Sequence, residues 1–232
     1  MMVKRQSLII AILRGFIVRK ERWDVLWYFC LVAASFIFLA LCIVIVNLHS
    51  FLAVTQRVDT KVLVVEGWTH DYCVDAAVNE FKSGNYDHLL TTGVPVEGMG
   101  NSSAIHDTGD WQSAGSLRKA GLPSGKVQSV ASQSVDRDRT YNSAVALRKW
   151  LHQHAPGVAG INVLTEDTHA RRTRMLFQEA LGPDILVGII SVPNPDYDAT
   201  HWWRSSEGVR EVSDESIAYV YAKLFFWPGS QP

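Results

Sequence analysis

Residues 61–84, KVLVVEGWTHDYCVDAAVNEFKSG, contain a strand, a turn and a helix in succession. Residues 61–65, KVLVV, begin with a lysine and continue as an uninterrupted run of apolar, mostly β-branched side chains, which is typical of a strand buried on both faces of a parallel sheet. Apolar side chains then recur at helical spacing over residues 74–81, and Gly84 ends that helix. The stretch therefore predicts the first half of a βαβ unit.

The same alternation continues to the end of the chain. Further strands are predicted at residues 86–92, 126–131, 161–165 and 185–192, and further helices at 111–120, 140–152, 168–181 and 206–226. Strands separated by helices of this length form right-handed βαβ units and a parallel sheet. We expect an α/β fold over residues 61–232, a Rossmann-like three-layer domain with a mainly parallel sheet of about five strands.

A charge-free segment, VLWYFCLVAASFIFLALCIVIV, occupies residues 25–46. Its 22 residues would form about 33 Å of helix, enough to span the hydrocarbon core of a bilayer. A buried core helix would keep a polar stripe, and a cleaved signal peptide would have a shorter apolar region and a small-residue cleavage site. The segment therefore predicts one uncleaved transmembrane helix, and the inner membrane is the expected partner.

Charge on either side of this segment predicts its orientation. Residues 1–24 carry six basic and two acidic side chains, a basic tail that the positive-inside rule keeps in the cytoplasm. Residues 47–60 are predicted to be a linker, so the domain at 61–232 would be extracytoplasmic. The chain beyond residue 46 carries 16 basic and 21 acidic residues, which excludes a nucleic-acid-binding field. We expect a single-pass protein of the inner (plasma) membrane.

Cysteine usage is sparse. Cys30 and Cys42 lie inside the charge-free segment, which leaves Cys73 without a partner for an internal disulfide. Cys73 falls among the apolar positions of the first predicted helix of the domain. We therefore expect it to be a small buried side chain.

The turn after the first strand contains Glu66 and Gly67. Ligands of open parallel sheets bind at the carboxyl ends of the strands. A dinucleotide site would place G-x-G-x-x-G in this turn, whereas Glu66 would repel a phosphate there. A nucleotide or S-adenosylmethionine enzyme is therefore disfavoured. Glu66 remains a candidate general base, cation ligand or acceptor for sugar hydroxyls, or else a structural carboxylate.

The segment after the third strand is rich in charge. Arg137 and Arg139 precede Thr140, which fits the N-cap of the following helix. Helix N-termini hold anions, so an inward arginine would complete an anion site. The alternative is a solvated surface loop.

The turn after the fourth strand is the strongest candidate. Residues 165–172 read TEDTHARR and open a helix, which brings Thr165 and His169 to the sheet edge. A neutral His169 can accept a proton, and Arg172 lies three residues on, near the same helix face, where it can hold a phosphate or carboxylate. No second histidine stands at a ligand spacing, so no metal site is predicted.

Two adjacent tryptophans, Trp202 and Trp203, precede the last predicted helix. If exposed, they would form a platform for sugars or a protein partner. If buried, they would attach that helix to the sheet. The sequence leaves both readings open.

Several short motifs in order resemble the YdcF-like family, which includes SanA and ElyC. They are Gly67, Thr92-Gly93, residues 117–123, residues 140–144 and residues 165–172. The resemblance implies a Rossmann-like sheet with its polar residues at the carboxyl edge, and a role in the bacterial envelope, with peptidoglycan and its lipid-linked precursors. The family's first turn is usually rich in glycine, so Glu66-Gly67-Trp68 would mark a divergent branch.

We therefore expect a membrane-anchored envelope protein that binds or processes an anionic cell-wall or lipid-linked glycan precursor and contributes to envelope integrity. His169 and Glu66 would be the acid–base pair of any reaction, and no cofactor is assigned. The expected ligand-binding residues are Gly67, Thr92, Gly93, Arg137, Arg139, Thr140, Thr165 and Arg172. The alternative is a non-enzymatic envelope scaffold or ligand sensor.

Overall fold

The computed structural model describes residues 2–93, 117, 121–123, 125–132 and 137–228. The chain divides into two units, Met1–Asn47 and Leu48–Pro232. The first unit is most of a long helix, α1 (Met2–Leu52). Within it, Leu26–Leu52 has a mean hydropathy of 3.1 and is long and apolar enough to cross a membrane. By length and composition, α1 is thus a candidate membrane span.

The second unit contains a five-stranded, wholly parallel sheet, as predicted. Its strands are β1 (Val62–Glu66), β2 (His88–Gly93), β3 (Val127–Ala131), β4 (Gly160–Glu166) and β5 (Leu186–Val192). Their spatial order is β3-β2-β1-β4-β5, and every neighbouring pair is parallel. The order reverses between β1 and β4, and a ligand crevice opens at such a reversal, beyond the carboxyl ends of the strands.

Helices cover both faces of the sheet. They are α2 (Asp71–Ser83), α3 (Arg139–His154), α4 (Ala170–Leu181) and α5 (Ser206–Leu224), with short 3₁₀ turns at Asp167–His169 and Ala199–Arg204. One apolar core joins the sheet to α3 and α4, and a second joins it to α2. The predicted helix at 111–120 lies outside the described residues except for Leu117, which is buried.

The register of the strands aligns three polar residues at the carboxyl edge. Val64 belongs to the core under α3 and α4, and alternate side chains of a strand share a face, so Glu66 points to that same side. Glu66 pairs in register with Thr92 of β2. Thr165 continues the face of Val163 on β4, which pairs with Val64. Glu66 therefore lies between Thr92 and Thr165.

Helix α3 begins earlier than predicted, and its cap lies two residues before Thr140. Helix α3 has Asp138 as its N-cap, so the prediction that Thr140 caps it is wrong. Asp138 adopts a left-handed φ of 54°, which an aspartate tolerates and which turns the chain into the helix earlier. Thr69 does not cap α2, since its hydroxyl donates to the carbonyl of Glu66 at 2.9 Å.

Residues 48–60 attach closely to the sheet. Leu52, at the end of α1, is fully buried in a small core with Trp202 and Val212. Gln56 forms an antiparallel bridge with Ile189 of β5, with N···O distances of 2.7 and 2.8 Å. The segment predicted as a linker, residues 47–60, thus contains the last turn of α1 and a residue that pairs with the backbone of β5.

The structure also decides two open points. Trp202 is buried in that small core, whereas the side chain of Trp203 is partly exposed. Trp202 therefore helps to attach α5 to the domain. Cys73 is fully buried, as expected.

Candidate functional site

Glu66 is the most buried carboxylate at the carboxyl edge of the sheet, with 1% of the residue exposed. Its Oε2 accepts a hydrogen bond of 3.0 Å from the hydroxyl of Thr173, on α4. The adjoining amide of Gly67 donates to the carbonyl of Thr92 at 2.6 Å, which ties the first turn to β2. Glu66 is therefore held at the point where the strand order reverses.

The two threonines beside Glu66 are buried without partners. In the described part of the chain, the hydroxyls of Thr92 and Thr165 make no hydrogen bond, and both residues are almost fully buried. A buried hydroxyl without a partner costs about 1–3 kcal/mol. Such groups are uncommon in native proteins, and a bound water or ligand commonly satisfies them. Thr92, Glu66 and Thr165 thus form a buried polar row whose two hydroxyls have hydrogen-bonding capacity left for a water or a ligand rich in hydroxyls.

A second cluster joins His169, Arg172 and Glu215. Glu215, on α5, accepts from Nε of Arg172 at 2.9 Å and from its Nη2 at 2.8 Å, a bidentate pair. Oε1 of Glu215, which accepts from Nη2 of Arg172, also lies 2.9 Å from Nδ1 of His169. Nδ1 of His169 also lies 3.0 Å from Nη2 of Arg172, so His169 and Arg172 are direct neighbours. In the tautomer that carries its proton on Nδ1 and donates to Glu215, Nε2 of the neutral imidazole is an acceptor.

The charges in this cluster support one another. Burial alone would raise the pKa of Glu215, but hydrogen bonds from His169 and Arg172 outweigh it and lower the pKa to about 2. Burial likewise opposes the charge on Arg172, yet Glu215 keeps the pKa of the guanidinium above its usual value. Glu215 and Arg172 are thus an ion pair over the whole ordinary pH range.

A third cluster surrounds Asp167, the residue after β4. Its two carboxylate oxygens each lie 3.0 Å from Nε2 of His49, and the hydroxyl of Tyr197 donates to one of them. The Ser191 hydroxyl donates to the backbone carbonyl of Asp167 at 3.0 Å. Asp167 has a φ of 26°, which is uncommon for a non-glycine residue. Surrounding contacts maintain such backbone strain, which occurs often at functional sites.

Two further carboxylates stand near these clusters. Glu166 accepts from the backbone amide of His70 at 2.5 Å and from its Nδ1 at 2.7 Å. Glu211, one turn before Glu215 on α5, has its pKa raised, chiefly by burial and further by the charges of Glu166 and other carboxylates, although His169 opposes this. A carboxyl group that keeps its proton to higher pH can act as a proton donor. The edge is therefore predominantly acidic.

The structure brings some predicted residues together and leaves others apart. Glu66, Gly67, Thr92, Gly93 and Thr165 adjoin one another at the centre of the edge. His169 and Arg172 form their own cluster. Arg137, Arg139 and Thr140 lie at the start of α3, beside β3. The two arginines are exposed and Thr140 is half-buried. No contact among the described residues joins any of the three to Glu66.

Sequence reasoning missed three residues that build the site. Glu215 pairs with Arg172 across 43 positions of sequence, and His49 pairs with Asp167 across 118. Tyr197 lies in an irregular segment between β5 and α5. The one available signal was the acidic spacing of Glu207, Glu211 and Glu215, which indicates an acidic helix face but not its partner.

The donor set gives no sign of a metal site in the described part of the chain, where no group of three or more His, Cys, Asp or Glu is arranged to hold an ion. No protein-family model matches the chain, and no curated protein is significantly similar to it. Function is therefore inferred from the fold and from the side chains at the carboxyl edge.

Proposed function

We propose that this is a single-pass protein of the bacterial inner membrane whose extracytoplasmic domain binds or processes an anionic, lipid-linked glycan precursor of the cell wall. One contact carries the proposal: His49 with Asp167. His49 comes three residues after the charge-free segment at 25–46, and three residues span at most about 11 Å. If α1 is the anchor, the carboxyl edge lies close to the membrane surface, where the head group of a lipid-linked substrate would be found.

The polar row at the edge suits a sugar. Glu66 can accept hydrogen bonds from sugar hydroxyls, while the hydroxyls of Thr92 and Thr165 can both donate and accept. The half-buried ring of Trp68 lies beside that of His169, with 4.6 Å between the ring centroids. An indole at such an edge gives a sugar ring an apolar face on which to stack.

The anionic part of the ligand would be held by arginines. Glu215 occupies Nε and Nη2 of Arg172, so Nη1 is the end that remains without a hydrogen bond among the described side chains. Arg137 and Arg139 are exposed at the start of α3, where the positive end of the helix dipole adds to their charge. A phosphate held by Arg172, or by the arginines at the start of α3, would be shielded by these cations from the acidic side chains of the sheet edge.

A reaction, if one occurs, would use His169. The Glu215 carboxylate orients the imidazole, and in the tautomer that donates from Nδ1 to Glu215, Nε2 can act as a general base. Glu66 or Glu211 would supply or take up the second proton. The resemblance to the YdcF-like family and its envelope setting is consistent with this proposal, and so are the basic residues before the charge-free segment at 25–46, which favour a cytoplasmic N-terminus.

The test uses the full chain in nanodiscs with three probes: a polyprenyl-phosphate-linked amino sugar, the same sugar phosphate without lipid, and polyprenyl phosphate alone. At about 100 times its dissociation constant, a ligand adds about 2.7 kcal/mol, which raises the melting temperature by roughly 5–10 °C. We expect the lipid-linked sugar to give the largest shift. An equal shift from the soluble sugar phosphate, or no shift from any probe, would contradict the proposal.

Turnover separates an enzyme from a sensor. Loss of the lipid-linked sugar over time, absent in His169→Gln but retained in the control Glu179→Gln on the exposed side of α4, would support catalysis. Binding without turnover in the wild-type protein would favour the envelope ligand sensor.

A further inference from the structure

Helix α5 exposes an apolar stripe on its outer face. The spacing of its members, three and four residues apart, puts them on one side of the helix, and two aromatic residues extend the stripe past its end. The stripe consists of Ile217, Val220, Tyr221, Leu224, Phe225 and Trp227. Contiguous exposed apolar surface of this kind is typical of a contact with a protein or a membrane.

The stripe is not the face that packs on the domain. That face carries Val212 into the small core with Leu52, and it carries Glu215 to Arg172 and His169. Within the described part of the chain, the inner side of α5 is covered by the domain and its apolar stripe is not.

The start of the stripe is joined to the end of α1. The ring of Tyr219 packs edge-on against that of Phe51, with centroids 5.5 Å apart. Phe51 follows the charge-free segment at 25–46 by five residues, and five residues of chain span at most about 18 Å. Any membrane that α1 enters is thus within a short distance of the middle of α5.

The other end of α5 is fixed over the sheet. Phe226 packs against Tyr141, in the first turn of α3, with ring centroids 5.1 Å apart. Helix α5 therefore crosses the carboxyl edge of the domain, from the end of α1 to the start of α3. Its inner side faces the candidate site, and its apolar stripe faces away.

We infer that the outer stripe of α5 lies in the interfacial layer of the bilayer that α1 enters, so that α5 separates the lipid from the candidate site. The chemistry of the stripe matches this layer. Tyr221 and Trp227 are the residue types enriched at membrane interfaces, and the exposed Lys223 can extend its ammonium to anionic head groups. The inference rests on the anchoring by α1 that belongs to the proposed function.

Spin labels in proteoliposomes of phosphatidylethanolamine and phosphatidylglycerol test this placement. The background is the full chain with Cys30→Ala and Cys42→Ala. Cys73 stays, since it is fully buried and burial raises the pKa of its thiol, so labelling reagents do not reach it. Single cysteines replace Leu224 in the stripe, Ile37 in α1, and Leu186, an exposed leucine at the opposite edge of the sheet.

Power saturation of the electron paramagnetic resonance signal compares how often the spin label collides with oxygen, which concentrates in lipid, and with a water-soluble nickel chelate. We expect oxygen to dominate for Leu224→Cys, as for Ile37→Cys, and the chelate to dominate for Leu186→Cys. Chelate dominance at both Leu224→Cys and Leu186→Cys would overturn the inference while leaving the anchor intact. Low access to both reagents with dipolar broadening at Leu224→Cys would mean that a second copy covers the stripe. Chelate dominance at Ile37→Cys would instead refute the anchor and with it the proposed function.

Discussion

Glu66 and Glu215 are both buried carboxylates near the same sheet edge, but they differ in what surrounds them. Glu215 accepts from Arg172 twice and from His169, so its charge is balanced within the protein. Glu66 accepts from Thr173, and its neighbours Thr92 and Thr165 have buried hydroxyls without partners in the described residues. A carboxylate whose charge is compensated by donors within the protein stabilises the fold and orients its neighbours. A buried carboxylate flanked by hydroxyls that lack partners among the described residues is suited to a ligand.

The largest effect on stability should come from Glu215→Ala. It leaves the guanidinium of Arg172 largely buried without its partner, which costs about 3–5 kcal/mol in the free energy of unfolding. Urea-induced unfolding of the full chain in detergent micelles, followed by tryptophan fluorescence, measures this. Glu207→Ala on the same helix removes an exposed pair with Arg210 and should change the value by less than about 0.5 kcal/mol. Equal effects of the two substitutions would contradict the claim that the buried pair stabilises the protein more than the exposed pair does.

Acid should lower the free energy of unfolding by protonating Glu215. The pKa of Glu215 falls from 4.5 to about 2 on folding, so its contribution is complete above about pH 5 and is lost as the pH falls from about 4.5 to about 2. A difference of this size corresponds to about 3 kcal/mol. Unfolding free energies of the wild-type protein and Glu215→Gln, measured over this range, should converge at the acid end. Parallel curves would show that Glu215 is not the group that titrates.

A smaller loss is expected from Thr173→Val. The substitution keeps the shape of a buried side chain and removes the hydroxyl that donates to Glu66. Hydrogen bonds to charged groups contribute about 1.5–3 kcal/mol, so the free energy of unfolding should fall by that amount. An unchanged value in the same urea assay would mean that the hydrogen bond from Thr173 to Glu66 does not stabilise the fold.

The smallest effect, and one of opposite sign, is expected from Thr165→Val. The Thr165 hydroxyl is buried without a partner in the described chain, so its removal should raise the free energy of unfolding by up to about 1 kcal/mol. Thr173→Val is the matched comparison, since both replace a fully buried threonine beside Glu66. If Thr165→Val is as destabilising as Thr173→Val, its hydroxyl has a structural partner and is not reserved for a ligand.

The sequence was sufficient for the sheet because each strand carries its own signal. The apolar run at 61–65 and the helical spacing at 74–81 are local patterns, and they place Glu66 and Thr165 at the carboxyl edge without any long-range information. Helix starts were less certain. Asp138 starts α3 from a left-handed backbone conformation. The sequence does not reveal this conformation, and Thr140 is an equally good N-cap by residue type.

The contacts that complete the site could not be predicted, because they depend on how distant elements pack. Glu215 reaches Arg172 only because α5 crosses the carboxyl edge. His49 reaches Asp167 only because the last turn of α1 packs into the domain instead of ending in a linker. Neither packing has a periodicity that a single sequence displays.

The contrast between the two carboxylates can be measured in one experiment on ligand binding. The full chain in nanodiscs is titrated with the polyprenyl-phosphate-linked amino sugar, with Glu66→Gln and Glu215→Gln side by side. Glu66→Gln should lose a hydrogen bond to a charged group, about 1.5–3 kcal/mol, and so bind about 10- to 150-fold more weakly, while Glu215→Gln, which changes only the positioning of Arg172 and His169, should weaken binding less. Unchanged affinity in Glu66→Gln, or an equal loss in both variants, would show that the centre of the sheet edge is not where the glycan binds.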